Sequence, residues 1–129
     1  MEKRKTDLVV TGFIFNESNE ILLIHHNKLN LWLPVGGHIE QNETPDEALL
    51  REIKEETNLD VEIVGKTDIP LEGNVKANLA SVCKKKEGSG LKINKELESF
   101  KWVPKGELGA EFIPADVGNL ALKAFEEIE

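Results

Sequence analysis

The stretch that most constrains this chain is GGHIEQNETPDEALLREIKEETNL, Gly36 to Leu59. It contains one strongly specified helix. Thr44 suits the N-cap, Pro45 suits the first helical position, and Glu47, three residues after Thr44, completes a capping box. Asp46 and Glu47 also favour the positive end of the helix dipole. These signals predict a helix over 45–57, and Leu49, Leu50 and Ile53 gather on a face that is expected to pack on a sheet. Ahead of the helix, Gly36 and Gly37 are expected to let the chain turn sharply and expose backbone groups to a ligand.

The same stretch carries seven carboxylates, Glu40, Glu43, Asp46, Glu47, Glu52, Glu55 and Glu56, against the two cations Arg51 and Lys54, in a chain of net charge −8. Asp46 and Glu47 are explained by the helix start. Glu52, Glu55 and Glu56 are not, since they lie near the negative end of the dipole and fall within roughly 100° of one another around the axis. Like charges one turn apart weaken a helix. A hard divalent ion such as Mg²⁺ offsets that repulsion and favours carboxylate oxygen. The alternative is a solvated acidic helix with Arg51 and Lys54 as partial counter-ions. Arg51, two turns after Glu43, is placed to pair with it and tie the loop to the helix, a forked contact that Lys fills less well. Glu40 is an outer residue of such a site or plain surface.

A chain of 129 residues is expected to form one domain, 1–129, with a single sizeable core. DLVVTGFIF reads as a strand, NESNE (Asn16 to Glu20) as a hairpin turn, and ILLIHHN as the returning strand. LWLPV is a short extended piece ended by Gly36-Gly37. VEIVGKTDI, VKANLASVCKKK and SFKWVP read as later strands, with EGSG (Glu87 to Gly90) as a turn. ADVGNLALKAFEEI has the spacing of a C-terminal amphipathic helix. The pattern predicts a mixed sheet covered by helices, an α/β or α+β layered domain.

The acidic balance excludes recognition of nucleic acid through a basic face, which needs clustered Lys and Arg. The basic runs near Lys3 and at Lys84-Lys85-Lys86 read as solvated surface. Cys83 is the only cysteine, so neither an intrachain disulfide nor a cysteine zinc cluster can form, and the alternating NLASVCKKK makes it a small buried hydrophobe. No apolar run approaches the ~20 residues of a membrane span. With no signal-peptide pattern at the N-terminus, a cytoplasmic location is expected.

The residues from Gly37 onward resemble the signature of the Nudix hydrolases (MutT-like pyrophosphohydrolases). That signature is Gly, five residues, Glu, seven residues, then Arg-Glu-apolar-x-Glu-Glu-x-Gly-apolar. Gly37, Glu43, Arg51, Glu52, Ile53, Glu55, Glu56 and Leu59 match in register. Asn58 departs from the signature Gly; just past a helix end the left-handed conformation is usual, and Asn tolerates it next best after Gly. Asn42 stands where relatives often have another Gly. The resemblance implies a Nudix-type α/β/α sandwich with the signature helix and the C-terminal helix packed on a mixed sheet.

The resemblance further implies a metal site of Glu52, Glu55 and Glu56, with the Gly36 carbonyl as an added ligand and Glu43 and Arg51 bracing the platform. Relatives often bring another acid from the loop before the SFKWV strand, as ligand or base; Glu96 fits that place first and Glu98 second. The implied reaction is metal-assisted attack of water on the diphosphate linkage of a nucleoside diphosphate derivative, with Mg²⁺ or Mn²⁺ supplying the positive field and a carboxylate accepting a proton. Specificity in the family lies outside the box. Trp32 and Phe112 are candidates to stack on a base, or core residues. Asp116 is a candidate contact to a base edge, or a helix cap. His38 is expected near the site and exposed, and His25 and His26 as exposed strand-end residues. Two other readings are a catalytically silent Nudix-fold domain for ligand sensing or protein interaction, and a Nudix-fold isomerase acting on a diphosphate ester. Family members are often dimers, so a monomer or a homodimer is expected.

Overall fold

The computed structural model describes residues 5–67, 78–92 and 99–128. Among these described residues, seven strands and two helices follow in the order β1 (Lys5–Phe15), β2 (Ile21–His26), β3 (Leu31–Leu33), β4 (Val35–Glu40), α1 (Pro45–Thr57), β5 (Val61–Lys66), β6 (Asn78–Lys85), β7 (Phe100–Val103) and α2 (Ala115–Ile128), with a 3-10 turn at Lys105–Glu107. Both helices start and end where the sequence pattern places them. The Asn16–Glu20 turn closes through Asn16 Oδ1, which accepts from the amides of Ser18 and Glu20.

The sheet is mixed. β1 pairs in parallel with β6 over Val9–Phe15, and on its opposite edge meets β2 at Phe15 and then β4 from Gly12 downward. β2 in turn carries β7 on one edge and β3 on the other. β1 and β2 therefore splay apart after their turn, and the chain from Leu31 to Glu40 fills the opening. β5 closes the far side against β6, with a bulge between Ile63 and Gly65.

Alternation along the strands sends side chains into two cores. On one face Val10, Ile14, Leu22, Val35, Ile39 and Cys83 pack under α1 through Ala48, Leu49 and Ile53. On the other, Phe13, Phe15, Leu23, Val82 and Val103 pack under α2 through Ala121, Ala124 and Phe125. The Phe15 and Phe125 rings meet edge to face at 4.9 Å. Fully burying Leu49 and Ile53 contributes roughly 1.5–3 kcal/mol each. Gly12 makes that contact possible, because a methyl group there would lie 3.0 Å from Leu49 Cδ1. The result is an α+β layered sandwich with a helix on each face.

Three sequence expectations are corrected. Gly36 and Gly37 do not turn; they lie inside β4, opposite Thr11 and Val10. Leu50 does not join the core, because α1 buries the Leu49–Ile53 stripe and leaves Leu50 43% exposed. His25 and His26 are half-buried rather than exposed, as each lies in the paired part of β2. Cys83 is fully buried as expected, and burial pushes its thiol up to about 12. Among the described residues no helix is long and apolar enough to cross a membrane.

Candidate active site

The α1 N-terminus forms as its sequence specifies. Thr44 Oγ1 accepts from the Glu47 amide at 3.1 Å, and the Glu47 carboxylate accepts from the Thr44 amide at 2.9 Å. At the other end Asn58 adopts φ 63°, and its amide donates to the Lys54 carbonyl at 3.0 Å. Asn42 also lies in the left-handed region, at φ 73°. Both asparagines thus occupy the conformation that glycine favours.

Arg51 joins loop, strand and helix. Its Nε and Nη2 donate to the two Glu43 oxygens at 2.6 and 2.9 Å, and Nη2 also reaches the His38 carbonyl at 3.2 Å. Glu43 Oε1 accepts from the Glu40 amide at 2.9 Å, which fastens the end of β4 to the loop before α1. Nη1 donates to Glu52 at 3.0 Å and Glu55 at 3.4 Å, and lies 3.8 Å from Glu40. The hydrogen bonds to Glu43, opposed by partial burial and reinforced by Glu52, hold Arg51 above the usual guanidinium range. Lys54 takes no part; it bonds Asp60 at 3.1 Å.

Glu52 is seated against β4. A methyl group on Gly37 would lie 2.5 Å from Glu52 Oε1 and 2.8 Å from Oε2, so the carboxylate occupies the volume that a side chain at 37 would take. Gly36 is constrained differently: a methyl group there would lie 2.5 Å from the Val10 carbonyl oxygen. The glycines were legible as special, but their purpose is close approach rather than turning.

Glu52 is mostly buried, Glu56 is half-buried and Glu55 is exposed. Among the described residues no three His, Cys, Asp or Glu side chains close into a metal cage, and the Arg51 guanidinium draws Glu52 and Glu55 instead. The donor chemistry nonetheless suits a hard divalent ion: three carboxylates on one helix, one of them cradled over a strand backbone. Glu96 and Glu98 lie outside the described residues.

On the α2 side of the sheet, a cavity of about 440 Å³ is lined by Thr11, Phe13, Leu33, Pro34, Asp116 and Lys123, among others. Thr11 pairs with Gly36, so the cavity adjoins the strand whose next residue faces Glu52. Asp116 is the second residue of α2 rather than its cap; its Oδ1 accepts from the Val117 amide at 3.0 Å. Trp32 and Phe112 are half-buried and meet edge to face at 5.9 Å, beside the cavity rather than in its lining. His38 is half-buried rather than exposed, because it lies within β4, and it enters the site through its carbonyl. Sequence reasoning missed Thr11, Phe13, Leu33 and Pro34, for which strand alternation carried the signal, and Lys123, for which helix spacing from Asp116 did.

A family profile for the NUDIX domain matches residues 5–121. The chain belongs to the Nudix family. Among curated relatives, it is 46% identical over 57 residues to an RNA pyrophosphohydrolase of Marinomonas sp. (strain MWYL1), an alignment covering 42% of this chain and only 35% of that protein. It is 28% identical over 105 residues to a putative 8-oxo-dGTP diphosphatase of Bacillus subtilis (strain 168), covering 78% of this chain and 68% of the relative. Among solved structures, a NUDIX-family hydrolase from Clostridium perfringens superposes with a TM-score of 0.79 at 27% identity, covering 95% of this Nudix chain and 97% of the other.

Proposed function

We propose that this Nudix domain hydrolyses the diphosphate linkage of a nucleoside diphosphate derivative. The observation that carries the reading is the seating of Glu52 in the space left by Gly37, with Glu55 and Glu56 on the same helix and Arg51 forked onto Glu43 beside them. Glu52, Glu55, Glu56, the Gly36 carbonyl and, from the sequence preceding β7, Glu96 are the groups to hold Mg²⁺ or Mn²⁺. When bound, such an ion neutralises phosphate oxygens and acidifies water. The chain's own residues then do the rest. Glu43 and Arg51 keep the carboxylates aligned with β4, and a carboxylate of the set accepts the proton of the attacking water. A new P–O bond to that water forms as the bridging P–O bond breaks, releasing two phosphorylated products.

The cavity on the α2 side is the place for the nucleoside. Its floor of Phe13, Leu33 and Pro34 suits a flat apolar ring face, and Asp116 offers an acceptor to a base edge. A bound substrate would run from this cavity past Gly36 and Gly37 to the carboxylates. The relatives' names, an RNA pyrophosphohydrolase and a putative 8-oxo-dGTP diphosphatase, support the same class of reaction.

The test is metal-dependent release from a panel of nucleoside triphosphates including 8-oxo-dGTP, dinucleoside polyphosphates, ADP-ribose, nucleotide sugars and 5′-triphosphorylated RNA. Turnover on at least one, abolished by chelator and by Glu55→Gln or Glu56→Gln, is expected. No turnover on any of them would replace the enzyme reading with that of a silent ligand-binding Nudix domain.

A further inference from the structure

Trp32, Phe112, Lys101 and His25 form a cluster that the hydrolytic reading leaves unused. Trp32 stands on β3 opposite His25 of β2, and Lys101 stands on β7 opposite Leu23 of β2. Three adjacent strands thus bring these side chains together, and the segment before α2 adds Phe112. The Lys101 ammonium lies 4.3 Å from the Phe112 ring centroid and 5.0 Å from that of Trp32. Trp32 is in turn backed by His25, with ring centroids 5.0 Å apart. The His25 ring is held by Asn27 and Asn30, each with its side-chain oxygen 3.0 Å from a ring nitrogen.

This arrangement fixes a cation without neutralising it. Aromatic faces attract an ammonium through their quadrupoles but carry no net charge. Among the described residues no carboxylate pairs with Lys101, whereas Arg51, Lys54, Lys66 and Lys85 each have one. A free lysine loses rotamer entropy when it engages an anion, and one already seated on two rings loses less. Lys101 therefore presents a held positive charge with no carboxylate partner among the described residues, on an acidic protein.

Its position relative to the cavity gives that charge a use. Leu33 and Pro34 of the lining directly follow Trp32, and Asp116 and Val117 follow Phe112 by four and five residues. These two wall segments are therefore continuous along the chain with Trp32 and Phe112. Thr11, paired with Gly36, marks the side nearer Glu52. On the reading above, a nucleotide with its diphosphate at Glu52 and its nucleoside in the cavity would have its nucleoside end on the side of the wall segments that adjoin Trp32 and Phe112.

We infer that Lys101, seated on Trp32 and Phe112, is a subsite for a second phosphate, one carried on the nucleoside end of the ligand and separate from the scissile diphosphate. The substrate class this names is a nucleoside diphosphate derivative with a further phosphoryl group on its sugar. The inference rests on the nucleotide reading of the cavity, though its test needs no hydrolysis.

Binding is measured in chelator, by calorimetry and by Trp32 emission in a Trp102→Phe background. The probes are adenosine and guanosine 3′,5′-bisphosphates, the corresponding 5′-monophosphates, and inorganic phosphate. At least one bisphosphate is expected to bind about fivefold more tightly than its monophosphate, the worth of a single solvent-facing ion pair. That preference should vanish in Lys101→Met, which keeps the stem on the rings, and persist in Lys101→Arg. Equal affinities, a preference that survives Lys101→Met, or no binding of either bisphosphate would overturn the subsite. Inorganic phosphate shifting Trp32 emission as strongly as a bisphosphate would overturn its assignment to a nucleotide-borne group. If the hydrolysis panel fails while the preference holds, the enzyme reading falls and the subsite stands.

Discussion

The Glu52 carboxylate occupies the side-chain volume that Gly37 leaves vacant, while the neighbouring Gly36 is held bare by the Val10 carbonyl. Two adjacent glycines in one strand therefore serve different ends, and substitution separates them. Gly37→Ala meets only the end of a flexible side chain, so the fold adjusts and the carboxylate moves. Turnover should fall on the order of 100-fold, as displacing a catalytic group by an ångström does, with little change in Tm. Gly36→Ala meets backbone, and should cost about 1–3 kcal/mol of stability, the range for overpacking a well-filled site. Paired thermal melts and rates on the two variants check this; equal losses of stability would contradict it.

The fork between Arg51 and Glu43 makes a second prediction. Both are largely shielded, with 24% and 12% of their side chains exposed. Arg51→Lys keeps the charge but cannot donate to both Glu43 oxygens, the His38 carbonyl and Glu52 at once. A loss of about 1–3 kcal/mol is expected from charge-assisted bonds left unmade. Since Arg51 is held above its usual range and stays charged at all working pH, this loss should be the same at pH 6 and pH 9 in denaturant titrations.

Asn58 tests the helix end. At φ 63° a Cβ is disfavoured, so Asn58→Gly should gain a few tenths of a kcal/mol, as a glycine relieves the left-handed strain. The gain is small because the Asn58 side-chain Nδ2 donates to the Gly90 carbonyl at 3.3 Å, a bond that glycine loses. Asn58→Ala should lose about 1 kcal/mol, since Ala lacks both the local bonding and the tolerance. An alanine variant as stable as the parent would show that the residue leaves this conformation in solution.

Cys83 gives the pH dependence. Its pKa is raised by burial to about 12 in the fold, above the unfolded value, so its contribution is full below pH 9 and is lost as pH rises toward 12. Over that window the unfolded thiol ionises first, and stability should fall by about 1.4 kcal/mol per pH unit from this group alone. The slope difference between parent and Cys83→Ala in urea titrations from pH 8 to 11 measures it. At pH 8 the native thiol should react with labelling reagents only as fast as the protein opens.

Local rules made much of this legible. The capping box, both helix spans, the left-handed asparagines and the Arg51–Glu43 pair all depend on neighbours within a few residues or two helical turns. What escaped depends on strand register. Gly36 and Gly37 read as a turn because their reason, the Val10 carbonyl and the Glu52 carboxylate, lies across the sheet and on α1. Leu50 read as core because it lies about 60° from Ile53 around the axis, and only the way α1 seats on the sheet decides that the Leu49–Ile53 stripe is the one covered. The Lys101–Trp32–Phe112 cluster was invisible, since nothing local brings β7, β3 and the segment before α2 together. Glu96, chosen from its place before the SFKWV strand, lies outside the described residues.

The acidic trio links metal to stability. Without a divalent ion, Glu52, Glu55 and Glu56 repel along one edge of α1, and Arg51 Nη1 relieves part of that strain at Glu52 and Glu55. Glu55→Gln should therefore leave the metal-free protein as stable or a few tenths of a kcal/mol more so, since a like-charge pair on a helix costs about that much. An ion that binds only the folded chain adds stability by mass action, about 2.7 kcal/mol at 100 times its Kd. Mg²⁺ should then raise the Tm of the parent and raise that of Glu55→Gln much less, while chelator returns both to nearly the same value. Because this readout needs no substrate, it tests the carboxylate site even where the right nucleotide has not been found. An equal Mg²⁺ shift in the two proteins would place the ion elsewhere.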